Sequence, residues 1–190
     1  MRHNEFIDVV LSDLYRYCAA RDASSFLKCV LLIPGYKYTF WMRTSNYLKC
    51  KGILFLPLYL LSRLILNHYK FKYGISIPYN ADIGKGLYIG HFGGIVVHPQ
   101  AKIGKNCNIN QDVSIGATYG GKNPGIPRIE DSAYMGPGAK IIGGISLGSH
   151  VAVGANSVVN VSIPDNGVVI GNPCQIVSYQ GSINYITNTD

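Results

Sequence analysis

The stretch that decides the fold begins at Ile77: IPYNAD (77–82), IGKGLY (83–88), IGHFGG (89–94). After two residues, Ile95-Val96, the six-residue frame resumes from Val97 as VHPQAK, IGKNCN, INQDVS and IGATYG. Beyond an insertion it returns from Ile129 as IEDSAY, MGPGAK, IIGGIS, LGSHVA, VGANSV and VNVSIP. An aliphatic residue opens nearly every hexad, Gly follows it in seven of the thirteen, and a small or aliphatic residue usually fills the fifth place. A fixed short period is the mark of a solenoid, and hexads predict a parallel β-helix. Three short strands then make one triangular coil of about 18 residues, with the first residue of each hexad on the axis. The neighbouring Gly predicts a corner where the backbone takes positive φ or passes another strand closely. A helix does not tolerate this much Gly, and ordinary strands alternate with period two.

Composition agrees. The 190 residues are 47% hydrophobic, which suits one core and excludes wholesale disorder. Only 14% are charged and 22 are Gly, against usual values near 25% and ~7%. That balance excludes a coiled coil or helical bundle, which needs solvated charged faces. The formal charge is +7, which suits an anionic ligand, a membrane surface or nucleic acid. Of the 17 Lys and Arg, 11 precede residue 74, so the positive charge belongs to the N-terminal third and nucleic acid is not the natural partner. Cys18, Cys29, Cys50, Cys107 and Cys174 are odd in number, with no CxxC pair, which predicts reduced thiols in a cytoplasmic protein and no metal site. The opening MRHNEFIDVV has no apolar core of a signal peptide.

Residues 1–73 read as an α-helical region, 74–177 as the β-helix and 178–190 as a tail, mainly β overall. Phe6, Val9, Val10, Leu14 and Tyr17 recur at helical spacing, with Asp8 and Asp13 in the early turns. Pro34-Gly35 predicts a break, and Trp41 to Lys51 a second helix stopped by Gly52. Ile53–Leu66 is the most apolar stretch, but at fourteen residues with Pro57 and Arg63 it is too short for a span of about 20. Two readings stand: a helix buried against the coil or another subunit, or, with basic flanks over 49–72, one resting on anionic lipid at the inner face of a membrane.

These hexads resemble the hexapeptide-repeat acyltransferases, whose fold is a left-handed β-helix. The segments GLYIGHFGGIVVHPQAKIGKNCNINQDVSIGA, PRIEDSAYMGPGAKIIGGISLGSHVAVGANSVV and GVVIGNPCQIV, within Ile75 to Val177, are most similar to serine acetyltransferases and related sugar O-acetyltransferases. The resemblance implies transfer of acetyl from acetyl-CoA to a hydroxyl, without metal, by homotrimers with each active site between two subunits. It implies His91 as the general base. A protonated hydroxyl is a weak nucleophile, and an imidazole within ~3 Å that takes its proton contributes about 10²–10⁴ in rate. Gly90, Gly93 and Gly94 leave that ring room to reach a groove.

The insertion within Gly116–Arg128 adds eight residues, and by resemblance lies near the acyl-CoA. Lys122 and Arg128 are expected to meet CoA phosphates, and Ala117 and Tyr119 the pantetheine arm. The bland alternative is a chain-reversing loop. Its Gly116-x4-Gly121-Lys122 nearly spells a P-loop, but Asn123 replaces the required Ser/Thr and no helical pattern follows. Gly136, Gly138, Ala139, Gly154 and Ala155 are further expected CoA contacts, where small side chains let pantetheine lie along backbone. The same residues suit bare β-helix corners.

For the acceptor, the resemblance places Ser76 where serine acetyltransferases carry an Asp, Gly90 where a second Asp precedes the base, and Gly125-Ile126 where Arg-His precede Pro-Lys. Those losses remove partners for a zwitterion and favour a saccharide acceptor, free or lipid-linked, of capsule, O-antigen or exopolysaccharide assembly. Serine O-acetylation is the alternative, and a non-enzymatic trimeric scaffold the remote one. Asp112 is a spare carboxylate for the acceptor site, or a corner residue bonding its own backbone. A metal-dependent hydratase of the γ-carbonic anhydrase kind needs three His on neighbouring coils, and the spacing of His91, His98 and His150 does not match it.

Overall fold

The structure is a computed structural model and describes residues 2–189. Met1 and Asp190, the outermost residues of the expected domains, lie outside the described residues. From Ile75 the chain winds as a triangular coil of parallel strands. The first coil is β1 (Ile75–Ser76), β2 (Asp82–Ile83) and β3 (Tyr88–Ile89). The second is β4 (Ile95–Val97), β5 (Lys102–Ile103) and β6 (Asn108–Ile109). The third is β7 (Ser114–Gly116), β8 (Arg128–Ile129) and β9 (Tyr134–Met135), and the fourth β10 (Lys140–Ile142), β11 (Ser146–Leu147) and β12 (Ala152–Val153). β13 (Val158–Val159) and β14 (Val168–Gly171) start a fifth, and β15 (Cys174–Ser178) returns antiparallel to β14.

Each strand pairs with its counterpart one coil away, which makes three faces: β1-β4-β7-β10-β13, β2-β5-β8-β11 and β3-β6-β9-β12-β14. The hexad openers form the internal ladders. Ile83, Ile103 and Ile129 align on the second face, and Ile89, Ile109, Met135 and Val153 on the third, all buried. The fifth-place residues Ala101, Cys107, Val113, Ala139 and Val151 are buried with them. Burying a Leu- or Ile-sized side chain contributes about 1.5–3 kcal/mol, so a ladder repeated coil on coil carries the domain.

By residue count the helices exceed the strands, because each β-helix face uses only two or three residues before turning. The mainly β expectation therefore describes the coil and not the chain. The helices are α1 (His3–Cys18), α2 (Ala23–Leu32), α3 (Pro34–Lys49) and α4 (Leu56–Tyr73), the last entered through a 3-10 turn at Ile53–Phe55. Pro34 opens α3 rather than merely breaking the chain, since Pro at a first helical position loses no hydrogen bond. Asp22 caps α2 by accepting from the Ser25 N–H at 3.0 Å.

Asp13 is not in an early turn of α1 but two-thirds along it, where it anchors the helices to the coil. Its carboxylate meets Arg43 of α3 at 3.0 Å and accepts from the Leu87 N–H at 2.8 Å. Arg43 also donates to the Ile83 and Gly84 carbonyls, each at 2.7 Å. Burial raises the Asp13 carboxyl above its ordinary value, while the Arg43 charge and the Leu87 N–H pull it back. Tyr38 adds a second anchor, its hydroxyl donating to Ile77 O at 2.7 Å and accepting from Ile77 N at 3.1 Å.

Candidate functional site

Register locates the site. Successive coils are normally offset by 18 residues, as in Val96↔Ser114 and Arg128↔Ser146. The first coil is longer, with Ile75↔Ile95 and Ile89↔Ile109 offset by 20. The two extra residues fall within His91–Gly94, at the edge between the third and first faces. Gly94, at φ +63, is required there: a Cβ would sit 2.0 Å from Asp112 Oδ1 on the coil above. The Asp112 N–H donates to Gly93 O at 2.7 Å. His91 is exposed on this bulged corner, and among the described residues its ring has no hydrogen-bond partner. Phe92 beside it tilts against Tyr73 of α4, ring centroids 5.2 Å apart.

One edge of the prism therefore carries, coil by coil, His91, Asp112, Gly136 with Gly138, and Gly154 with Ala155. Asp112 is a left-handed corner residue, φ +58, with its carbonyl accepting from Lys140. A Cβ on Gly138 would meet Asn156 Oδ1 at 2.0 Å, and one on Gly154 the Ile170 Cγ2 at 2.6 Å, so coil stacking by itself demands these glycines. Gly136 is buried and Ala155 exposed. Ala139 is fully buried in the coil core, so its side chain cannot line a CoA groove; that expectation is corrected by its fifth place in the hexad.

The eight-residue insertion leaves from the other margin of the first face, between β7 and β8. It is a short hairpin closed by Thr118 and Gly125, whose amides and carbonyls bond reciprocally at 3.0 and 2.7 Å. Ala117 is half-buried at its base, and Tyr119 at its tip is 89% exposed. Below the tip lies a groove of about 480 Å³ lined by Lys122, Asn123, Ile142 and Asn160, among others. Asn123 holds its wall by donating to Asn160 O at 2.9 Å. Arg128 faces away on the second face, in an ion pair with Glu130 at 2.6 Å. The structure thus separates Lys122 from Arg128, and both from the His91 edge of the same chain.

Ser76 faces a second groove, of about 260 Å³, between α4 and the first coil. Arg63, Asn67 and Lys70 of α4 line it with Tyr79, and its lining contains no carboxylate. Arg63 lies 3.9 Å from the centre of the Tyr79 ring. Tyr59 donates to the Tyr79 hydroxyl at 3.3 Å, and this bond, with Lys49 and Arg63 nearby, lowers the Tyr79 phenol. The groove and the His91 corner lie at opposite ends of β1, and α4 reaches both: the Ile95 N–H donates to Gly74 O at 3.1 Å beside the corner, where Tyr73 meets Phe92, and Arg63, Asn67 and Lys70 line the groove. Sequence reading took Arg63 and Lys70 only as charges within and beside the apolar stretch, although 63, 67 and 70 share one helix face.

His91, His98 and His150 stand on three different edges of the prism. Among the described residues no group of three or more His, Cys, Asp or Glu is placed to hold a metal ion.

No family model matches the chain. It is similar to the serine acetyltransferase of Bacillus pumilus, 36% identical over 159 residues, covering 84% of this chain and 71% of that protein. The serine acetyltransferase of Staphylococcus xylosus is 39% identical over 123 residues, 65% of this chain, and the chain spans only 57% of that relative's length. Soybean serine acetyltransferase complexed with serine superimposes with a TM-score of 0.74 at 29% identity, over 92% of this chain and 70% of the soybean chain. These likenesses overturn the saccharide acceptor. That expectation rested on the losses at Ser76, Gly90, Gly125 and Ile126, and did not weigh Arg63 and Lys70 of α4, which line the groove at Ser76. With more than two-thirds of the Bacillus pumilus protein matched at 36% identity, the chain belongs to the serine acetyltransferase family.

Proposed function

We propose that this protein transfers the acetyl group of acetyl-CoA to the hydroxyl of L-serine, with His91 as general base. The observation that carries the reading is the likeness to serine acetyltransferases across 84% of the chain, joined to an exposed His on a bulged corner. As the serine oxygen attacks the thioester carbonyl carbon, its proton passes to the His91 imidazole. The carbon–sulfur bond then breaks, and the same proton goes to the departing CoA thiolate, leaving O-acetylserine and free CoA. Arg63 and Lys70 are the cations available to the serine carboxylate, in place of the Arg-His pair that Gly125-Ile126 lack. Lys122 is the cation suited to a CoA phosphate in the hairpin groove, and Arg128, already paired with Glu130, is the weaker candidate.

We further infer a left-handed wind and a homotrimer. In its support, the His91 edge and the hairpin are opposite margins of one face, so a site using both is incomplete in one chain. A neighbouring copy that presents its hairpin to this His91 completes it. The test is release of free CoA thiol from acetyl-CoA with L-serine, and with no acceptor. His91→Ala is expected to lower the serine-dependent rate about 10²–10⁴-fold. Full activity in that variant sinks the mechanism, and no serine-dependent rate in the wild type sinks the acceptor.

A further inference from the structure

The α3–α4 hairpin turns an apolar tip away from the rest of the chain. Ile53 and Leu54 are 77% and 88% exposed. Along α4, Leu60, Leu64 and Phe71 form a stripe at helical spacing, 52%, 69% and 75% exposed. The opposite stripe of Ser62, Leu66 and Tyr73 is buried. The helix is thus apolar on two sides and covered on one, and an exposed apolar stripe of this kind marks a surface that another body covers.

Charge decides which body. Between Asp22 and Asp82 no Asp or Glu occurs, while the same stretch carries Lys28, Lys37, Arg43, Lys49, Lys51, Arg63, Lys70 and Lys72. Arg43 is the one of these in an ion pair among the described residues. Lys49 and Lys51 flank the tip, lying 5.5 and 4.4 Å from the Tyr79 and Tyr47 ring centres, and Lys72 closes the far end of α4. A two-fold contact would set this surface against its own copy, cation opposite cation, with no carboxylate to intervene. An anionic surface complements it.

We propose that the α3–α4 hairpin docks on an anionic phospholipid bilayer. Ile53, Leu54 and the Leu60–Leu64–Phe71 stripe enter the acyl boundary, and Lys49, Lys51 and Lys72 lie at headgroup level. This is an interfacial mode: among the described residues no helix is long and apolar enough to cross a membrane. Apolar area and charge act together in such docking, each cation near an anionic surface raising partition about fivefold at low salt. The proposal goes beyond serine acetylation and stands without it.

The experiment is co-sedimentation of the full chain with vesicles of mixed phosphatidylglycerol and phosphatidylcholine, and with phosphatidylcholine alone. Binding to the mixed vesicles is expected, weakened about tenfold or more on neutral vesicles and by added salt. The I53D/L54D variant, altered where the side chains face solvent, is expected to lose about tenfold or more in partition. Its circular dichroism and its sedimentation-velocity mass are expected to match the wild type. Absence of binding to the mixed vesicles overturns the proposal, as does equal binding of I53D/L54D. A fall in oligomeric mass in I53D/L54D also overturns it, by assigning the face to a second copy.

Discussion

The coil and the helical region solve one problem, burying an apolar core, by opposite means. In the coil each residue's environment follows from its place in a six-residue frame, and the same place recurs one coil later. Ile83, Ile103 and Ile129 have one environment three times over. In the helices no place recurs. Asp13, Tyr17, Tyr38 and Arg43 each bond a different part of the first coil, at Leu87, Ile89, Ile77 and Ile83-Gly84. The coil's stability is therefore spread over many equivalent apolar contacts, while the helical region's attachment joins a few unrepeated polar bonds to an apolar seam of Met42, Leu66 and Tyr73.

That contrast is broken most severely at the Asp13–Arg43 pair. Arg43→Ala leaves a buried carboxylate without its counter-charge and strips the Ile83 and Gly84 carbonyls of their donor. A loss of about 3–5 kcal/mol is expected from removing one partner of a buried pair. Urea unfolding followed by circular dichroism checks it, and a loss under 1 kcal/mol would mean the helices are held by apolar packing after all.

A paired deletion sharpens the other half of the contrast. Ile141→Ala removes a rung of the first-face ladder, fully buried between Ile115 and Val159, and is expected to cost about 2–5 kcal/mol. Leu64→Ala deletes a side chain of the same size from the exposed stripe of α4. In vesicle-free buffer it is expected to stay within about ±0.5 kcal/mol. Equal losses would show that α4 is covered on both sides in solution.

The same contrast explains what was legible in the sequence. The coil was legible nearly to the residue, because Ile89 and its counterparts repeat at fixed spacing. One break in that spacing became the Thr118–Gly125 hairpin; the other, read at Ile95-Val96, lies a few residues earlier at the His91 corner, since Ile95–Val97 is a strand paired with β1 and β7. Ala139 was misread as a ligand contact although its fifth place in the frame already marked it as internal. The helices were legible only as helices. Periodicity finds an apolar stripe but not its partner, so α2, the Asp13 anchor and the Arg63–Lys70 groove all depend on contacts more than a dozen residues away. Nor does composition foretell that the chain beyond Ser178 folds back, with Ser182 donating to Ser132 O at 2.6 Å and Tyr185 stacked on Tyr134.

The gentlest probe of the contrast is alkaline pH, since the coil buries a thiol in its repeating frame. Cys107 occupies a fifth place beside the axis, and burial pushes its thiol up to about 12 from the usual value near 9. Below pH 9 the group is protonated in folded and unfolded chains alike and contributes no pH dependence. Between pH 9 and about 12 the unfolded chain loses this proton while the folded coil keeps it, so the unfolded state binds fewer protons and stability falls as pH rises. The slope is about 1.4 kcal/mol per pH unit for one such group. Going from pH 9 to pH 10, wild type is therefore expected to lose about 1 kcal/mol more than Cys107→Ala, whatever the two proteins' absolute stabilities. Urea midpoints at the two pH values measure the difference, and parallel pH dependence in both chains would mean that the coil interior opens to water around Cys107.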